Sequence, residues 1–137
     1  MNEPQTIHSL LHHLSAVFAR ESDQILQEQL GIGLAQFKIL TTLINNPVAQ
    51  QRYIAVSLGQ TEASISRQVK LLLKKGMLES RVNPHNRREH RTTLTPKGQR
   101  IMSAAQQVLK GYQSGSLVHM STKQRDQLLE LLISIHP

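Results

Sequence analysis

The sequence predicts a mainly α-helical chain in which a winged helix-turn-helix sits between N- and C-terminal helices, and three observations carry that expectation. Apolar residues recur at three-four spacing in successive stretches separated by glycine, proline and asparagine. A short helix, a tight Gly59 turn and a cationic helix follow one another between Gln50 and Gly76. Two short extended runs then flank Asn83-Pro84-His85-Asn86, a tip rich in turn formers.

The elements follow in order. Ile7, Leu10, Leu11, Leu14, Val17, Phe18, Ile25 and Leu26 form one stripe of a long first helix that ends before Gly31 and Gly33. Leu34, Phe37, Leu40, Leu43 and Ile44 mark a second, stopped by Asn45-Asn46-Pro47. A short third, about Gln50 to Leu58, supplies Ile54, Ala55 and Leu58 to the core, with Gly59 as its C-terminal cap. Thr61 opens a fourth, about 61–75, whose inward stripe is Ile65, Val69 and Leu72. The wing spans about 77–95, with extended runs Met77 to Val82 and Glu89 to Leu94. Thr95-Pro96 opens a fifth helix carrying Ile101, Ala104, Ala105, Val108 and Leu109, loosened at its end by Gly111, Ser114, Gly115 and Ser116. Ser121 opens the last, where Leu128, Leu129, Leu131, Leu132, Ile133 and Ile135 are too many for one narrow stripe. Such a helix needs cover on more than one side, so without a partner Leu128, Leu132 and Ile135 are expected to be partly exposed.

Length and composition narrow the function. A chain of 137 residues fits one domain (1–137), with 34–98 as its winged region flanked by helical segments 1–30 and 99–137. The absence of Cys excludes disulfides, thiolate metal sites and thiol redox sensing, and suits a cytoplasmic setting. No apolar run reaches the roughly 20 residues that span a bilayer, and Met1 to Leu10 lacks the pattern of a secretory signal, so no membrane role is expected. No phosphate-binding glycine loop, His-Glu-x-x-His or nucleophile elbow is present, so neither an enzyme nor a cofactor is expected.

Charge points to a polyanion. Residues 51–100 hold eleven of the sixteen Lys and Arg and three of the nine acids, +8 in all, while the remainder carries −1. Phe18, Phe37, Tyr53 and Tyr112 are the only Phe and Tyr and there is no Trp, too few rings to stack unpaired bases, which favours double-stranded DNA. With Ile65, Val69 and Leu72 inward, a turn of 100° per residue leaves Ala63, Arg67, Lys70, Leu71 and Lys74 outward and Ser64, Ser66 and Gln68 on the flanks. Arg67 is suited to a guanine edge and Gln68 to an adenine edge, while Ser64 and Ser66 permit close approach. Thr61 lies at the same end, and Lys70 and Lys74 suit phosphate. Arg87, Arg88 and Arg91, near His85 and His90, place cations at a protruding tip that can enter the electronegative minor groove. A solvated amphipathic helix and a charge-protected edge hairpin are the plain alternatives for the two halves.

These residues resemble the MarR family of transcriptional regulators, the group that includes SlyA-like proteins, over nearly the whole chain. The likeness rests on Leu58-Gly59-Gln60-Thr61-Glu62-Ala63-Ser64-Ile65-Ser66-Arg67, on Lys75-Gly76-Met77-Leu78, and on Leu94-Thr95-Pro96-Lys97-Gly98 after the arginine-rich tip. The family's Asp-x-Arg tripeptide corresponds to Asn86, Arg87 and Arg88, so Arg88 takes the wing-arginine role and Asn86 replaces a charge pair with hydrogen bonding. The resemblance implies a homodimer built from the first, fifth and sixth helices, two winged domains on a pseudo-palindromic operator, and repression relieved by a small, often aromatic and anionic, effector. His8, His12, Phe18 and Phe37 are candidates for lining an effector pocket, and also read as surface histidines and core phenylalanines. Two other readings remain. A metal-responsive regulator of this fold would use His8, His12 and His13, although Asp23 and Asp126, the only Asp, are not beside them. A winged helix used for protein interaction would show apolar anchors where this one shows cations.

Overall fold

The computed structural model describes residues 6–112, 115 and 117–136. Its elements run α1 (Ile7–Leu30), α2 (Leu34–Asn45), α3 (Gln51–Leu58), α4 (Glu62–Lys74), β1 (Leu78–Asn83), β2 (Asn86–Leu94), α5 (Pro96–Gly111) and α6 (Thr122–Ile135). This is the mainly helical winged architecture expected from the sequence. Ser114 and Ser116, expected to loosen the end of α5, lie outside the described residues.

Local chemistry sets each boundary. Gly31 closes α1 in the left-handed region at φ 68°, where a side chain would be strained. The Leu34 N–H, an orphan donor at the start of α2, is met by Asp23 Oδ1 from α1 at 2.9 Å, which also places a carboxylate at the positive end of the α2 dipole. Gly59, at φ 64°, turns the chain between α3 and α4, and the Gln60 N–H returns to the Ala55 carbonyl at 2.9 Å. Thr61 caps α4 by accepting from the Ser64 N–H at 3.1 Å.

The hairpin differs from its expected extent. Met77 precedes the sheet and is buried, whereas β2 begins at Asn86, three residues earlier than the sequence suggests. Asn86 Oδ1 accepts from the Arg88 N–H at 3.2 Å, and the ladder shifts register between Val82 and Asn83. That irregularity accommodates the extra residues of β2 without breaking the pairing.

Leu26, Ile32, Ile39, Leu40, Ile54, Ile65 and Leu72 are completely or almost completely buried and join α1, α2, α3 and α4 in one core. Leu78 and Leu94, partners at the root of the hairpin, extend it to the wing, and Met102 and Ala105 extend it to α5. The exit of α4 is sewn to the start of α5: the Thr95 N–H donates to the Met77 carbonyl at 3.0 Å, the Thr95 hydroxyl donates to the Gly76 carbonyl, and Lys97 Nζ donates to the Lys75 carbonyl at 2.8 Å. A Cβ on Gly98 would stand 2.1 Å from the Met77 carbonyl oxygen, so only glycine fits this crossing.

The last helix stands apart. It buries no residue, and Leu129, Leu131, Leu132, Ile133 and Ile135 are exposed, as are Ile7, Leu10 and Leu11 at the start of α1. Leu128 is half-buried, in line with the partial exposure expected of a lone chain.

Candidate nucleic-acid interface

Helix α4 separates its faces cleanly. Ile65, Val69 and Leu72 are buried, while Ala63, Arg67, Lys70, Leu71 and Lys74 are exposed. The i, i+4, i+7 apolar spacing has thus turned the cations to solvent. Among the described residues, none of these three cations has a carboxylate within 4.0 Å.

The small polar residues are placed less simply. The Thr61 side chain is engaged as the helix cap, and the Ser64 hydroxyl donates to Gln60 Oε1 at 3.3 Å, while Ser66 is half-buried. Gln68 departs from the expected adenine-reading geometry. Its Oε1, the acceptor that adenine recognition needs, takes a hydrogen bond from Gln36 Nε2 at 3.0 Å. Gln36, 8% exposed, in turn accepts from the Gly33 N–H at 3.3 Å through Oε1. The physical reason is the position of Gln68 on the edge of the buried stripe, where it faces α2. Sequence reasoning missed Gln36, although Gly33-x-x-Gln36 has the spacing of a reciprocal helix cap.

On the wing, strand alternation produces two surfaces. Ser80, Arg88, His90 and Thr92 line one groove together with Glu62, Val69 and Leu73 of α4, an opening of about 660 Å³. Arg88 therefore stands across a groove from α4, with its backbone held by Asn86. Arg81 and Arg91 lie directly opposite each other and, with Glu79 and Thr93, line a separate recess. Arg87 is exposed at the tip, and Asn83 Nδ2 donates to Glu89 Oε2 at 3.0 Å, fixing the turn from inside. The Thr92 N–H donates to the Pro47 carbonyl at 2.8 Å and ties the wing to the loop between α2 and α3.

The candidate effector residues are not gathered by any of these openings. His8 and His12 are exposed on α1, Phe18 is half-buried, and Phe37 packs against the core. Among the described residues no group of three or more His, Cys, Asp or Glu could hold a metal ion, and no helix is long and apolar enough to cross a membrane.

The arrangement of a capped cationic helix beside an arginine-bearing hairpin has a sequence counterpart: a model described as MarR family matches residues 30–89, from the end of α1 to the wing. Over this segment the chain is similar to the MarR family. Compared by sequence with curated proteins, it matches none. Solved MarR-family structures share its fold. A mutant of MarR from E. coli superposes with a TM-score of 0.89 at 22% identity, covering 99% of this chain and 100% of that one. A MarR family protein of Mycobacterium tuberculosis in complex with salicylic acid gives 0.81 at 19% identity, covering 99% and 100%. A mutant of S. aureus MepR bound to an oligodeoxyribonucleotide gives 0.64 at 22% identity, covering 97% and 100%.

Proposed function

We propose that this chain is a MarR-family regulator of transcription, a sequence-specific, double-stranded-DNA-binding protein that represses as a homodimer on a pseudo-palindromic operator. The observation that carries this reading is the exposed Arg67, Lys70 and Lys74 face of α4, whose opposite face is buried, beside a wing presenting Arg87 and Arg88. Arg67 offers a fork of donors to a guanine edge, and the lysines neutralise phosphates. Thr61 and Ser64 contribute chiefly by fixing the start of α4, with Ser66 alongside. Arg88 follows the adjacent minor groove, oriented through Asn86, while Arg91, on the other face of the same strand, adds to the positive field of the wing.

The dimer is supported by the uncovered apolar faces of α1 and α6, which with α5 form the dimerisation segments 1–30 and 99–137. Two copies would set two recognition helices about 34 Å apart, one turn of DNA. Such a regulator works on the chromosome, in the cytoplasm. Release by a small aromatic or anionic compound is supported by the relative that holds salicylic acid. A ligand that fits one separation of the winged domains better than the DNA-bound one shifts the population away from DNA.

Selection of bound duplexes from a random library tests the reading. An inverted repeat of two half-sites is expected. Recovery of no enriched sequence, with unselected duplex bound no better than other polyanions, would remove it.

A further inference from the structure

We propose that the outer face of the wing is a second phosphate-binding surface, in which Arg81 and Arg91 together grip a backbone phosphate of the DNA beyond the half-site. The inference rests on the DNA-binding reading above and extends it to Arg81, which that reading does not use, and to the wing face that Arg81 shares with Arg91. Arg81 and Arg91 are direct cross-strand partners in the hairpin. Like charges facing each other on one side of a two-stranded sheet repel, so the pair costs stability unless an anion sits between them.

The nearby carboxylates leave the pair largely uncompensated. Arg81 meets Glu79 only at 3.9 Å, and its side chain is 82% exposed. Glu89 is engaged by Asn83, and among the described residues no carboxylate lies within 4.0 Å of Arg91. The two arginines line a recess of about 320 Å³ together with Glu79 and Thr93, and the Thr93 hydroxyl is a further donor. Two forked donors and a hydroxyl suit the tetrahedral oxygens of a phosphodiester.

Geometry selects which phosphate. The groove lined by Ser80, Arg88, His90 and Thr92 is bounded on its other side by Glu62, Val69 and Leu73, so this face of the wing is turned to α4. A wing whose tip lies in the adjacent minor groove turns its other face to the far wall of that groove, which is the phosphate backbone of flanking DNA. Arg81 and Arg91 are on that other face.

The test compares wild type, Arg81→Ala and Arg88→Ala on two duplexes, one ending at the edge of the selected operator and one extended on both sides. Wild type is expected to bind the longer duplex more tightly and with the steeper salt dependence. In Arg81→Ala that advantage disappears, the slope of log affinity against log salt on the long duplex falls by roughly two for the dimer, about 0.9 per phosphate, and base preference and short-duplex affinity are retained. Arg88→Ala should weaken binding to both lengths. Thermal melting of Arg81→Ala at or above the wild-type temperature shows that the wing is intact. An unchanged length advantage and salt slope in Arg81→Ala overturns the phosphate grip while leaving DNA binding standing. Failure of wild type to bind either duplex overturns the DNA-binding reading and the grip with it.

Discussion

Gln36 and Gln68 lie 32 positions apart in the chain and share one hydrogen bond, Gln36 Nε2 to Gln68 Oε1 at 3.0 Å. Because Gln36 Oε1 already accepts from the Gly33 N–H, its amide has one orientation, and its donor side must point at α4. The start of α2 thereby grips the middle of α4. Gln68→Ala leaves that buried donor unmatched and should cost about 1–3 kcal/mol in chemical denaturation, with the selected DNA motif unchanged. A motif altered at one base pair, with stability unaffected, would instead return Gln68 to the reading surface.

Arg67 should behave in the opposite way. It is exposed on the cationic face, so Arg67→Ala is expected to leave folding stability within about 0.5 kcal/mol. Operator affinity should fall by on the order of 1–3 kcal/mol per half-site, with relaxed preference at one position, measured by competition gel shift. Arg88→Ala should weaken specific and nonspecific duplexes alike and flatten the salt dependence.

Gly98 reports on the junction between wing and α5. In Gly98→Ala the new methyl group meets the Met77 carbonyl, which is backbone and cannot swing aside. The variant should lose about 1–3 kcal/mol or more and melt several degrees lower, as read by calorimetry. Melting equal to wild type would mean that the crossing is looser than described.

Asn86 acts through the Arg88 backbone. Asn86→Asp keeps an acceptor in the same place and should retain DNA affinity, whereas Asn86→Ala removes it and should weaken binding without moving the melting temperature. Gel shifts beside thermal melts separate the two effects.

The terminal helices carry the assembly prediction. Leu132 and Ile135 are exposed on α6, so Leu132→Glu should disturb the lone chain little and shift sedimentation from dimer to monomer. An unchanged dimer would place the interface elsewhere.

How far these features are legible in the sequence follows from the range of the interactions behind them. Ile65, Val69 and Leu72 announce the buried side of α4 through spacing alone, and Gly59 and Thr61 announce its beginning, because caps and stripes are local. The outward direction of Arg67, Lys70 and Lys74 follows from the same arithmetic. The orientation of Gln68 does not, since its partner belongs to another helix. The onset of β2 at Asn86 depends on a register shift that alternation cannot encode. The excess of leucine and isoleucine in α6 is visible at once, yet what covers it lies outside a single chain.

The seam formed by Thr95, Lys97 and Gly98 against residues 75–77 makes the root of α5 and the exit of α4 one solid piece. Helix α5 therefore works as a tiller. Swinging its far end by about 10° over a shaft roughly 24 Å long corresponds to about 4 Å of travel, comparable to the rise of a single base pair. A rearrangement among the terminal helices thus has a stiff route to the cationic face of α4, with no hinge at this crossing to absorb it.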